Sequence, residues 1–132
     1  MKNFIVHDSN GVILRTGSCP DSMLLEQAQA GQTAIEGIAN DVTQYISVGA
    51  VTNKPALGST IDKTTILANG IEIATISGLP NPTQATITGG GASSTMTVID
   101  GVLALTFNVT GVYKVRLTAI NKLPQEYSIN AV

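Results

Sequence analysis

The chain is poor in charge, in aromatic residues and in cysteine. Only 12% of its 132 residues are charged, and 7 Lys and Arg against 9 Asp and Glu give a formal net charge of −2. This balance does not fit a protein that binds nucleic acid through its phosphates. The single cysteine, Cys19, excludes an internal disulfide and a zinc cage made of cysteines. An aromatic content of 4% without tryptophan also disfavours a sugar-stacking platform.

Long apolar runs are missing as well. No stretch approaches the ~18 residues of a membrane-spanning helix, and the first residues do not open a signal peptide, so we expect no membrane insertion. The chain is rich instead in β-branched residues, with 16 Thr, 14 Ile and 11 Val. Together with an apolar content of 43%, they predict a folded, mainly β protein rather than a disordered tail.

Residues 1–54 are predicted to form a small α+β unit. It begins with a hairpin whose strands, 4–7 and 12–16, are joined by the turn Asp8-Ser9-Asn10-Gly11. One short helix follows over residues 20–30, with Ser18 as its N-cap and Gly31 after its end. Further extended segments are expected at 33–38 and 42–51. About 50 residues bury little surface, so this unit is expected to need a neighbour or a second copy.

Residues 55–132 are predicted to form a seven-stranded Ig-like β-sandwich, after a junction at Lys54-Pro55 and a short linker. Apolar residues alternate with polar ones over 103–109 and 113–119, which is typical of antiparallel strands over a core. Asp100-Gly101 and Thr110-Gly111 are interpreted as hairpin turns between successive strands. Short runs between turn signals predict the seven strands at 63–68, 71–77, 84–88, 95–100, 102–109, 112–120 and 125–131.

Few residues could carry chemistry. His7 is the only histidine, and Cys19 could approach it only if the first hairpin folded back. A metal site made of His7 with Asp8 or Asp21 would lack ligands. The carboxylates Glu26, Glu36, Glu72 and Glu126 follow no acid–base pattern.

Three further motifs are interpreted structurally. Gly89-Gly90-Gly91 lacks the lysine of a phosphate loop and is expected to be a flexible loop. Asp8–Gly11 lacks the later glutamate of a calcium loop, and Asn108-Val109-Thr110 marks only a turn. The sequence therefore predicts no enzyme, and it offers no catalytic residue, no cofactor-binding residue and no metal ligand.

The sequence resembles small tail and tail-fibre-associated proteins of tailed bacteriophages. In residues 1–54 the likeness lies in Phe4-Ile5-Val6-His7-Asp8-Ser9-Asn10-Gly11, in Gln27-Ala28-Gln29-Ala30-Gly31 and in Asn40-Asp41-Val42-Thr43-Gln44-Tyr45-Ile46. The second half is similar to the Ig-like domains of such proteins in Leu67-Ala68-Asn69-Gly70, Gly101-Val102-Leu103-Ala104-Leu105 and Gly111-Val112-Tyr113-Lys114-Val115.

The resemblance implies a non-enzymatic structural component of the virion, assembled in the bacterial cytoplasm. Its expected partners are other virion proteins and copies of itself, with no nucleic acid. Two alternatives stay open. The chain could decorate the head of the particle, or its Ig-like domain could bind host-surface glycans weakly, with many copies supplying avidity.

Overall fold

The computed structural model describes residues 1–132, and the chain divides into two compact units. Unit 1 is Met1–Pro55 and unit 2 is Ala56–Val132. The boundary lies one residue beyond the expected Lys54-Pro55 junction. Both units are built from β-strands, so the chain is mainly β, as predicted.

Unit 1 is organised around one central strand. This strand, β1 (Lys2–His7), lies between β2 (Ile13–Cys19) and β3 (Thr33–Glu36), and both pairings are antiparallel. The consecutive residues Phe4, Ile5 and Val6 are all buried. A strand that is apolar at successive positions has to be covered on both faces, and the structure shows how this is done.

Two different segments cover the faces of this sheet: the segment with Leu24 and Ala28 covers one face, and the segment with Ile46 covers the other. On one face, Phe4 and Val6 pack in a cluster with Cys19 and Ala34, against which Leu24 and Ala28 also pack. On the other face, Ile5 packs with Ile13 and Ile46. Unit 1 therefore contains two small apolar clusters rather than one larger core.

The segment expected to be a helix is not one. It forms two short 3₁₀ turns, Asp21–Met23 and Leu25–Gln27, between extended residues at Pro20 and Ala28. Ser18 is not an N-cap, because it belongs to β2 and its hydroxyl donates to Oδ1 of Asn3 at 2.9 Å. An α-helix over residues 20–30 would have about three turns and would be barely stable without packing along its length, and only Leu24 and Ala28 pack on the sheet here.

A second correction concerns residues 42–51, which were expected to form one extended stretch. They contain most of a hairpin formed by β4 (Gln44–Ser47) and β5 (Ala50–Asn53). The loop between the strands is the dipeptide Val48-Gly49. Valine is rare at such a turn, which explains why the turn was missed.

Unit 2 contains eight strands. Each of the seven predicted runs overlaps one of them, and a two-residue strand at Thr60–Ile61 is added. In chain order they are β6 (Thr60–Ile61), β7 (Thr65–Ile66), β8 (Ala74–Ser77), β9 (Thr83–Gly89), β10 (Ala92–Val98), β11 (Leu103–Leu105), β12 (Gly111–Thr118) and β13 (Gln125–Ala131).

These strands form two sheets that share one core. The larger sheet has the order β10-β9-β12-β13-β7 and the smaller one β11-β8-β6. Ile76 and Leu103 of the smaller sheet belong to the same buried cluster as Val115, Leu117 and Ile129 of the larger sheet. Two sheets that face each other across a shared apolar core make a β-sandwich.

Two turns in unit 2 join the sheets instead of closing hairpins. Both Asp100-Gly101 and Thr110-Gly111 were expected to be hairpin turns, yet β10 and β12 belong to the larger sheet and β11 to the smaller one. A turn signal shows that the chain reverses, but it does not show which sheet receives the next strand.

The glycine-rich segment is also different from the expectation. Gly90-Gly91 is a tight hairpin turn and not a flexible loop, since it joins the paired residues Gly89 and Ala92.

Two details of unit 2 are typical of Ig-like sandwiches. The first strand is split between the sheets, because β6 pairs with β8 whereas β7 runs parallel to β13. Near the start of β12, the hydroxyl of Tyr113 donates to the carbonyl oxygen of Val109 at 2.8 Å. Such a tyrosine corner recurs in this class of fold.

Candidate functional site

The His7 cleft is an open depression in unit 1, lined by residues 7–11, by Thr33 and by residues 45–49. Its volume is about 480 Å³. Three elements meet there, namely the end of β1, the start of β3 and the β4–β5 hairpin. His7 and Thr33 are paired neighbours in the sheet, which places both at this end of unit 1.

One wall of the cleft is the turn after β1. Oδ1 of Asp8 accepts hydrogen bonds from the backbone N–H groups of Asn10 at 2.8 Å and of Val12 at 3.0 Å. The Gly11 amide also donates to the Asp8 carbonyl at 3.1 Å. A carboxylate that bonds its own following backbone is a turn-forming device. Asp8 therefore has a structural task at the cleft, as its place in the predicted turn indicates.

Gly11, the last residue of this turn, joins it to the β4–β5 hairpin, which forms the opposite wall of the cleft. Its carbonyl oxygen accepts from the Ile46 amide at 2.8 Å. A Cβ atom at Gly11 would lie 1.9 Å from the carbonyl oxygen of Ile46, and the residue has a φ of +82°. Only glycine fits this backbone conformation at this distance, so the contact between turn and hairpin depends on Gly11.

The imidazole of His7 is oriented by its neighbour. Nδ1 lies 2.8 Å from the carbonyl oxygen of Asp8. A carbonyl oxygen can only accept, so Nδ1 carries the hydrogen of this bond and Nε2 is the ring nitrogen left to face other groups. Cys19 does not approach this ring, because it pairs with Lys2 at the other end of β1, about 17 Å along the strand.

The other candidate residues are dispersed over the surface. Oδ1 of Asp21 lies 3.0 Å from the N-terminal ammonium of Met1. Glu36, Glu72 and Glu126 form ion pairs with Lys2, Lys63 and Arg116 respectively, and Glu26 lies on the second 3₁₀ turn. No group of three or more His, Cys, Asp and Glu side chains comes close enough together to hold a metal ion.

The tip of the β4–β5 hairpin is the most unusual part of the cleft. Val48 has a φ of +50° and is completely exposed. Positive φ is strained for a β-branched side chain, and two-residue hairpin loops favour Asn-Gly at this place. The signal for this turn in the sequence is the dipeptide Val48-Gly49 between two β-prone runs, which is weak because valine is uncommon in two-residue hairpin loops.

No protein-family model matches the chain, and no curated protein matches it. The structure contains no helix with the length and apolar character needed to cross a membrane.

Proposed function

We propose that the chain is a non-enzymatic structural component of a tailed-bacteriophage particle, associated with the tail or a tail fibre. In this proposal it acts through protein–protein contacts, and unit 1 is the part that docks. The phage assignment is supported by the sequence resemblance of residues 4–46, and the docking role by the surface of unit 1.

The observation that carries the docking role is Val48. An asparagine there would relieve the backbone strain and would also remove an apolar side chain from water. Valine at the tip of the β4–β5 hairpin therefore has two costs, namely backbone strain and an apolar side chain exposed to water. A partner surface that covers the valine removes the second, since burying a side chain of this kind contributes about 1.5–3 kcal/mol.

The remaining surface of unit 1 supports the same role. Its buried apolar residues are few, whereas Leu25, Ile38 and Val42 are exposed to 80%, 78% and 66%. A unit of 55 residues with two small clusters gains stability when such side chains are buried by another protein.

The test uses particles of the phage that encodes the chain. Quantitative mass spectrometry gives its copy number per particle, and electron microscopy gives its position on tail, fibre or head. We expect Val48→Asn in unit 1 to lower the copy number. The matched variant Val112→Asn, which changes an exposed valine of unit 2, is expected to leave it unchanged. Absence of the chain from mature particles would end the proposal.

A second candidate function is weak binding of a host-surface glycan, and the feature that favours it is the His7 cleft of unit 1, not the Ig-like domain to which the sequence analysis assigned it. The cleft is open and presents the polar side chains of His7, Thr33, Tyr45 and Ser47. Sugars can be held by hydrogen bonds alone, and many copies on a particle would multiply a weak affinity. A glycan array with the full chain displayed on beads tests this function, with Tyr45→Ala as the variant expected to lose any signal.

A further inference from the structure

The larger sheet of unit 2 ends in an unpaired strand. β10 is the outermost strand on its side and pairs only with β9. Its residues Ala92 to Thr97 are all exposed. An outermost strand presents backbone N–H and C=O groups to which another strand can bind.

The register shows which groups these are. The hairpin turn Gly90-Gly91 has positive φ at both residues, so the flanking pair Gly89–Ala92 exchanges backbone hydrogen bonds. Every second pair then does the same, which directs the groups of Ser94, Met96 and Val98 toward β9. The N–H and C=O groups of Ser93, Thr95 and Thr97 consequently point away from the sheet.

This edge has none of the usual protections against pairing. Residues 92–98 contain no charged residue and no proline, and all seven pair with β9 without a bulge. The other sheet edges of unit 2 are shorter, with two residues in β6, two in β7 and three in β11. β10 is thus the one long, regular and uncharged edge of the sandwich.

We propose that β10 is a self-association edge, at which two copies of the chain join antiparallel about a two-fold axis at Thr95. In this register Thr95 pairs with Thr95 of the second copy, and Ser93 pairs with Thr97. Three bonded pairs with two hydrogen bonds each satisfy all the outward groups of both strands. The two five-stranded sheets become one sheet of ten strands.

The side chains fit this register as well. Thr95 already lies beside Thr86, and Thr97 accepts from Gln84 Nε2 at 3.0 Å, so one face of the strand is a row of small polar groups. Across the two-fold axis that row meets its own copy, with hydroxyl groups opposite hydroxyl groups. On the other face, Met96 is 40% exposed. In the dimer it comes to lie opposite Ser94 of the second copy and diagonal to Met96 of that copy. No like charges oppose each other, and the threonine and serine hydroxyls meet their own kind, so the strand is complementary to a second copy of itself.

Sedimentation velocity of the purified full chain, from about 10 µM to about 1 mM, tests the association, because small interfaces of this kind bind weakly. We expect a monomer–dimer equilibrium. Thr95→Pro removes one outward N–H and Thr95→Lys places two like charges at the axis, so each is expected to weaken the dimer at least tenfold. Thr106→Lys adds the same charge at another exposed threonine and is expected to behave as the wild type.

Amide exchange measured by NMR tests the register independently. We expect the amides of Ser94 and Met96 to be protected at every concentration. Those of Ser93, Thr95 and Thr97 are expected to become protected only as the dimer forms. A wild-type chain that stays monomeric at about 1 mM would overturn the proposal. A dimer in which these three amides still exchange rapidly would also overturn it. Neither result bears on the phage assignment, which is tested on particles.

Discussion

The hydroxyl of Tyr113 donates a hydrogen bond to the carbonyl oxygen of Val109, 2.8 Å away and four residues back along the chain. The Tyr113 ring also stacks on Phe107, with ring centroids 3.9 Å apart and an angle of 15° between the planes. Its other neighbour is backbone, because a Cβ atom at Gly89 would lie 2.5 Å from Cδ1 of the ring. One side chain thus anchors the passage of the chain from β11 to β12.

Tyr113→Phe isolates the hydroxyl group. The ring stack is kept and the bond to Val109 is lost, so we expect unit 2 to lose about 1 kcal/mol of stability. Urea unfolding followed by circular dichroism, together with amide exchange in β12, measures the change. An unchanged midpoint would show that the hydrogen bond contributes nothing to stability.

The start of unit 2 is tied to its last strand by a hydrogen-bond network, and Tyr127→Phe should weaken it. The Tyr127 hydroxyl donates to the Ser59 carbonyl at 2.8 Å and accepts from Gln125 Nε2 at 2.9 Å. Ser59 is buried, so its carbonyl loses the closer of its two partners in a poorly hydrated place and keeps only Gln125 Nε2 at 3.3 Å. We expect a loss of about 1–2 kcal/mol, measured by the shift of the urea midpoint.

Glu126→Gln is the matched control for Tyr127→Phe, because Glu126 is the neighbouring residue of the same strand. It forms an exposed ion pair with Arg116 at 2.9 Å. Exposed pairs of this kind contribute little, so we expect a change below about 1 kcal/mol. A larger loss in Glu126→Gln than in Tyr127→Phe would mean that the network is not what secures β13.

Gly11→Ala and Gly31→Ala separate backbone strain from a close contact. The two glycines have nearly the same φ, +82° and +79°, but only Gly11 has a neighbour in the way of a Cβ atom. We expect Gly31→Ala to destabilise unit 1 by about 1 kcal/mol through strain alone, and Gly11→Ala by clearly more. Amide exchange in β1 reports on unit 1 directly. Equal effects would show that the turn can move away from Ile46 at little cost.

Val48→Asn should stabilise unit 1. Asparagine tolerates the left-handed conformation better than valine does and is preferred in two-residue hairpin loops. We expect a gain of up to about 1 kcal/mol, read from amide exchange in β4 and β5. A destabilised variant would show that the hairpin tip is not strained in the chain, and the docking argument would lose its main support.

The sequence predicts where strands lie better than it predicts which strands pair with each other. The alternation over 103–107 correctly placed Leu103, Leu105 and Phe107 in the core, because period-two patterning reflects one buried face. The same pattern also placed Val109 inside, yet it is 58% exposed and lies four residues beyond the end of β11. In residues 20–30, good helix formers suggested a helix, but so short a segment follows its packing rather than its propensity.

Of the candidate site, the sequence predicted only the turn at residues 8–11. Asp8 and Gly11 carry a local signal, since an Asx turn is made within a few residues. The cleft itself depends on Gly11 meeting Ile46, 35 positions along the chain, and nothing in the neighbourhood of either residue encodes that meeting. Val48 was missed because its strain is a property of a turn that the sequence did not reveal.

Composition and local patterning alone determined that this chain is mainly β and where most of its strands lie, because both follow from side-chain shape and from spacing within a few residues. Tertiary structure decided which sheet each strand joins, which glycines sit against a neighbouring backbone, and that β10 is left at an open edge. These features depend on contacts between distant residues, whose free energy is gained only when the whole unit has folded.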